Sequence, residues 1–187
     1  IPLGILSAVR RGSWPDKVST LSLFLMYSLP QFWAGLMLVL LFGATGLNWL
    51  PVLGLHDKDA ATFSGLRHFW DLVVHCILPI VCLTYGSLAY LSRQMRGSML
   101  DVVQQDFIRT ARAKGLSEKV VVMKHALLNS LIPIVTIMAS LLPSMIGGSI
   151  VIEYIFTING MGKLSLDAIV SRDYNIIMAT ATLSAVL

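Results

Sequence analysis

The sequence predicts an all-α, polytopic transmembrane helical bundle. Three observations carry this. Of 187 residues, 56% are apolar and only 13% are charged, against about 25% charged in a soluble domain. The mean hydropathy is +0.76. The charge is also segregated, because four long runs carry no Asp, Glu, Lys or Arg: Val18–Leu55 (38 residues), Leu72–Ser92 (21), Ala126–Ile152 (27) and Tyr174–Leu187 (14). The first three are long enough to cross a hydrocarbon core, which takes about 20 residues of helix.

In chain order, Ile1–Val9 reads as the tail of a helix that stops at Arg10-Arg11. It has no basic region ahead of an apolar stretch and so does not read as a signal peptide. A short basic loop follows, with Trp14 as an interfacial anchor. The first full span is expected at 19–44, with Pro30 either as a packing kink or as part of a gate. Residues 46–70 form a polar loop edged by Trp49 and Trp70. The second span, 72–91, contains Pro79. A long charged loop occupies 93–125, and the third span runs over 127–152. Pro133, Pro143 and Gly147-Gly148 predict that this span is broken or kinked. A second loop after Glu153 holds a short helix near 161–170, and a fourth span starts at Tyr174. Fourteen helical residues reach about 21 Å, short of a core of about 30 Å. The expectation is therefore one partial transmembrane domain over 1–187, lacking helices at both ends.

Orientation follows from the Lys and Arg distribution. Loops 10–17 and 93–125 together hold ten basic and four acidic residues, net +6, while the opposite loops hold four basic and six acidic, net −2. The basic side is expected to be cytoplasmic, which puts Trp49, Trp70 and 156–172 at the outer interface.

The most charged stretch is Asp106–Pro133. Met99, Val103, Phe107 and Ala111 recur every four residues, an apolar stripe on a charged helix. Gly115 is placed to end that helix in a left-handed turn, and Ser117 to cap the next one, with Glu118 in its first turn. Two helices meeting at a three-residue corner suit either a protein-docking site or a basic surface resting on anionic lipid.

Chemistry of other kinds is missing. No Gly-rich phosphate loop ending in Gly-Lys-Ser/Thr occurs, since Gly162-Lys163 is followed by Leu164. His56, His68, His75 and His125 are scattered and no metal site is read from their spacing. Cys76 and Cys82 lie about 240° apart on a helix and cannot pair with each other. They read as small apolar fillers. Glu153, at the outer end of the third span, is either solvated, ion-paired or functional. No catalytic residue, cofactor or nucleic-acid partner is expected.

The residues do resemble a family. Arg-Thr-Ala-Arg-Ala-Lys-Gly-Leu-Ser-Glu-Lys at 109–119, followed by His-Ala-Leu-Leu-Asn-Ser-Leu-Ile-Pro at 125–133, is similar to the cytoplasmic signature of binding-protein-dependent ABC importer permeases, in their dipeptide/oligopeptide/nickel branch. Arg-Arg-Gly-Ser-Trp-Pro-Asp (10–16), Ser-Leu-Pro-Gln-Phe-Trp (28–33), Leu-Asn-Trp-Leu-Pro (47–51) and Asn-Gly-Met-Gly-Lys-Leu (159–164) agree in order. The general signature has Glu-Ala-Ala where Arg109-Thr110-Ala111 stand and Ile-x-Leu-Pro where His125-Ala126-Leu127-Leu128 stand, but it keeps Gly115. These departures look like the peptide branch's own version.

The resemblance implies a type I permease fold in the bacterial inner membrane. It implies four kinds of partner: a second homologous permease subunit, cytoplasmic ATP-binding subunits that hydrolyse the nucleotide, an external solute-binding protein and membrane lipid. The elbow would be the coupling helix seated on an ATPase subunit, through Arg109, Ala111, Arg112, Lys114, Gly115, Leu116 and Ser117. Peptides would be the cargo, with nickel or glutathione as alternatives. A non-transport assembly or sensory component is the other class that the residues leave open.

Overall fold

The computed structural model describes residues 1–43, 46–146 and 149–186, with the side chains of 142–146 excepted. Among the described residues there is no strand. The order is α1 (Pro2–Val9), α2 (Trp14–Ser28), α3 (Gln31–Phe42), a 3-10 turn (Ala60–Thr62), α4 (Gly65–Val103), α5 (Asp106–Ala113), α6 (Glu118–Val120), a π-helical turn (Val121–Ala126), α7 (Leu127–Ile146), α8 (Ile150–Ile155), α9 (Met161–Ser171) and α10 (Tyr174–Val186). Among the described residues, two helical stretches are long and apolar enough to cross a membrane, Gly65–Val103 and Glu118–Leu141, and a third counts only if α2 and α3 form one broken span.

The first span is thus not continuous. The residue before a proline is pushed out of the helical region, and Pro30 itself is extended at φ −61°, ψ 135°. The chain leaves the helix at Ser28 and re-enters it at Gln31. Gln31 Nε2 then donates to the Cys82 carbonyl at 3.0 Å, tying α3 to α4. The expected end of the first span at Ala44, and the Gly147-Gly148 break, lie outside the described residues. Pro133 and Pro143 leave α7 helical, so the two prolines do not break it.

The second span also exceeds its apolar run. α4 has 39 residues, about 58 Å of helix, roughly twice the ~30 Å hydrocarbon thickness. The expected loop at 93–125 is therefore helical through Val103. The apolar run marks only the membrane part of a longer rod. Pro79 lies within it without ending it.

The chain forms two compact units, 1–28 with 85–141 and 29–84 with 142–187. The first has a core of Ala8, Leu91, Met95, Met99, Ile108, Ala111, Val121, Val122, Ala126 and Ile134. The second centres on Leu78, Cys82, Ile152 and Phe156, flanked by Leu38, Val39, Phe42, Leu50 and Val52. Cys82 is fully buried there, and both cysteines are free thiols.

Candidate functional site

The elbow is built on the first unit's core. α4 ends at Val103, and Gln105, with extended backbone, starts α5. This break resets the helical phase. The four-residue stripe therefore does not continue as one face: Met99 and Ala111 are buried, but Phe107 is 44% exposed and Ile108 takes the buried place. α5 docks through Ile108 and Ala111, and the returning segment through Val121, Val122 and Ala126. Ser98 Oγ donates to the Ser130 carbonyl at 2.9 Å, and Ser130 Oγ donates to the Ala126 carbonyl at 2.8 Å. The first bond ties α7 to α4 just past the corner, and the second stays within the returning helical stretch. The π turn adds a residue to one helical turn, which re-aims the chain between the corner and the apolar run.

The corner closes as a Schellman motif. The Gly115 amide donates to the Arg112 carbonyl at 2.9 Å, and the Leu116 amide donates to the Ala111 carbonyl at 3.4 Å. This pairing satisfies the last carbonyls of α5 and requires a left-handed residue after the helix. Gly115 supplies it at φ +77°. A Cβ at Gly115 would meet nothing within 4 Å, so its requirement is conformational alone. Ser117 starts the next helix, but its side chain makes no capping bond. Its carbonyl instead accepts from the Val121 amide at 3.0 Å.

Glu118 is committed elsewhere. Arg112 Nη2 donates to Glu118 Oε1 at 2.7 Å and Arg112 Nε to Oε2 at 3.1 Å, a two-pronged pair that straps the corner. The guanidinium holds the Glu118 carboxyl below its ordinary value, and the carboxylate holds Arg112 above its own. Arg109 approaches Asp106 at 3.4 Å with both side chains largely in solvent, a contact of little energy.

The seven expected contact residues therefore divide. Arg109, Arg112, Lys114, Gly115, Leu116 and Ser117 lie in the exposed part, and residues 112–120 are exposed without interruption. Ala111 is 6% exposed and belongs to the core beneath them. Leu116, at 40%, is the apolar tip of the corner.

Two buried anions, Asp16 and Glu153, have partners that the sequence reading did not identify. Asp16, 4% exposed, accepts from Arg96 Nε and Nη2 at 2.9 and 3.0 Å and from the Gly12 amide at 2.8 Å. Ser7 Oγ also donates to it. Arg96 holds the Asp16 carboxyl well below the usual carboxylate range. This network ties the 10–17 loop to α4, one residue beyond core residue Met95. In sequence its partners are 80 residues apart, and neither spacing nor periodicity joins them.

In the second unit, Glu153 is 8% exposed. It accepts from the amides of Ser149 (3.2 Å), Gly162 (3.2 Å) and Lys163 (2.6 Å). The last two are free amides of the first turn of α9, where a carboxylate is favoured. Glu153 is thus neither solvated nor paired with a cation, but anchors α9. A Cβ on Gly160 would fall 2.5 Å from Glu153 Cδ, and one on Gly162 would fall 2.7 Å from the Ile150 amide nitrogen. The two glycines of the Asn-Gly-Met-Gly-Lys motif are explained by these close approaches.

Comparison with known proteins gives a consistent picture. The family model described as "Binding-protein-dependent transport system inner membrane component" matches residues 1–187. The chain is 44% identical over 187 residues to an oligopeptide transport system permease protein of Bacillus subtilis, with all of this chain and 57% of that protein aligned. It is 39% identical over 181 residues to a glutathione transport system permease protein of Pectobacterium atrosepticum, covering 97% of this chain and 54% of the relative. It is 37% identical over 203 residues to a dipeptide transport system permease protein of Escherichia coli K12, covering all of this chain and 60% of the relative. The chain spans a little over half the length of these curated relatives.

Proposed function

We propose, since this chain belongs to the family of binding-protein-dependent transport system inner membrane components, that it is a pore-forming subunit of an ATP-driven importer of di- and oligopeptides. In this reading the subunit works in the bacterial inner membrane beside a second, homologous permease and receives its cargo from an external solute-binding protein. ATP is hydrolysed by separate cytoplasmic subunits. The elbow at residues 106–124 is the piece that meets them.

One observation carries the elbow's part in this reading: a corner built on a packed core and presented without cover. Residues 112–120 are all exposed, while Ile108, Ala111, Val121 and Val122 beneath them are all under 10% exposed. A rigid mount with an exposed tip suits transmission of motion between subunits, because a force on Leu116 passes to α4 and α7 through close-packed side chains. The cationic face of Arg109, Lys114, Lys119 and Lys124 supports an acidic groove as the receiving surface.

The test is uptake by the complete transporter in proteoliposomes. ATP-dependent accumulation of a labelled tripeptide, abolished when the binding protein is omitted, is the expected result. The glutathione relative at 39% identity favours a second reading of the cargo, a γ-linked tripeptide. Competition between glutathione and an α-linked tripeptide for uptake decides between the two.

A further inference from the structure

The geometry points to a divalent transition-metal site at Asp57, Asp71 and His75, in the loop and first helical turns that the Lys and Arg distribution puts on the outer face. One donor atom from each of the three residues lies within 4.8 Å of the other two. Their order in the sequence hides the set, because the loop from 57 to 64 folds back on α4.

The tautomer of His75 makes the case. Its ring is buried, with the side chain 4% exposed. Nδ1 lies 2.8 Å from the Asp71 carbonyl, an oxygen that can only accept, so Nδ1 carries a proton. Nε2 is then the ring nitrogen left to ligate an ion. It faces Asp57 Oδ1 at 3.8 Å, too long for a hydrogen bond. That spacing leaves room for one ion ligated by both atoms. Two ligand atoms on one zinc ion sit about 3.4 Å apart at bond lengths of about 2.1 Å, and the exposed Asp57 carboxylate, 65% accessible, is free to close that gap. Histidine ligands generally donate their other N–H to a carbonyl or carboxylate, which is what His75 does.

A second shell is also in place. His56 Nδ1 lies 2.9 Å from Asp71 Oδ2, and the Asp57 amide donates to the same oxygen at 3.2 Å. The Asp71 side chain is 7% exposed, so its orientation is fixed by these partners. The His68 ring packs on His56 at 4.3 Å between centroids. The nearby cation Arg67 is turned onto the Phe63 ring at 4.0 Å. The three residues open into a cleft of about 530 Å³ walled by Trp49, Phe63, Arg67 and Trp70, which gives an ion a path in. One imidazole with two carboxylates is a nitrogen and oxygen donor set of the kind that holds zinc or manganese.

The experiment is equilibrium dialysis of the full-length permease in its assembled complex, stripped with EDTA, held in lipid nanodiscs and titrated with zinc chloride. The wild type is expected to bind one more Zn²⁺ per chain than Asp57→Asn or His75→Gln, with affinity at least tenfold weaker in either variant. Asp57→Asn changes an exposed side chain and so tests the site even if the buried His75→Gln disturbs packing. Equal zinc uptake by wild type and Asp57→Asn would overturn the site. So would no uptake by the wild type.

Discussion

Gly115 is where the account is most sensitive to a single atom. At φ +77°, a residue with a β-carbon costs about 1 kcal/mol or more, and a β-branched one more still. Since the added carbon would touch nothing and Asn tolerates the left-handed region, Gly115→Asn should be nearly neutral and Gly115→Val damaging. Insertion should be unchanged, because no apolar run is altered. Cysteine labelling at position 116 in inverted vesicles would show whether the tip has moved. The Arg112–Glu118 strap adds a pH dependence of defined sign. The folded-state pKa of Glu118 is lowered, so the strap contributes at and above the ordinary carboxylate value of 4.5 and is lost as pH falls through the lower folded value. The corner should therefore keep its shape across neutral pH and loosen only in acid. As an exposed pair, it adds no more than about 1 kcal/mol. Hydrogen exchange at the 113–118 amides, in wild type and Glu118→Gln at pH 7 and pH 4, would read this directly.

Elements show how far the sequence could be read. The apolar runs at 72–91 and 126–152 located the two long span candidates because hydrophobicity over some 20 residues is a local property, but the run at 18–55 did not show that its helix breaks at Pro30. Helix ends were misplaced where a helix outlived its grease: α4 continues to Val103 through Arg93, Gln94 and Arg96. The Met99–Ala111 stripe failed at Phe107 because a period is meaningful only within one helix. Ser117 marked a helix start correctly, yet its hydroxyl makes no cap, since that turn also depends on the Schellman closure before it. The corner itself was legible, because Gly115 acts locally. The anchors at Asp16 and Glu153 were not, because each is defined by groups distant in sequence or by backbone amides. Removing one partner of a buried ion pair costs about 3–5 kcal/mol. Asp16→Asn and Arg96→Met should each lower the melting temperature of the detergent-purified protein, and the double variant should cost less than their sum. Glu153→Ala removes the anion from the first turn of α9, a loss of about 2 kcal/mol or more. Limited proteolysis should then cut the 156–172 segment while sparing α4 and α7.

Unlike a soluble bundle, the chain carries large apolar side chains on its outer surface as well as in its cores. Along α7, Leu128, Ile132, Val135 and Met138 are 48 to 67% exposed, whereas Ser130 and Ile134 are fully buried. Apolar side chains outward and a hydroxyl inward suit a helix whose surroundings are lipid or another apolar helix. The charged residues gather at the ends, and the elbow is the largest such gathering. Its core contacts are apolar and cations flank its apolar tip at Leu116, so a docking partner and a lipid surface make different demands on it. Lipid responds to charge and is indifferent to the backbone at Gly115. A protein groove responds to both, and more weakly to charge at high salt. Reversing Arg109 and Lys114 together should weaken either contact, so those variants do not separate the two.

The most direct test of the elbow's role is to capture the ATP-hydrolysing subunit with correctly inserted, full-length permease carrying Gly115→Val, and to measure peptide uptake by the same preparation. The coupling account predicts at least a tenfold loss of ATPase capture, or retained capture with ATP hydrolysis no longer driving uptake. Wild-type capture together with wild-type uptake would contradict it and remove residues 106–124 from the coupling path.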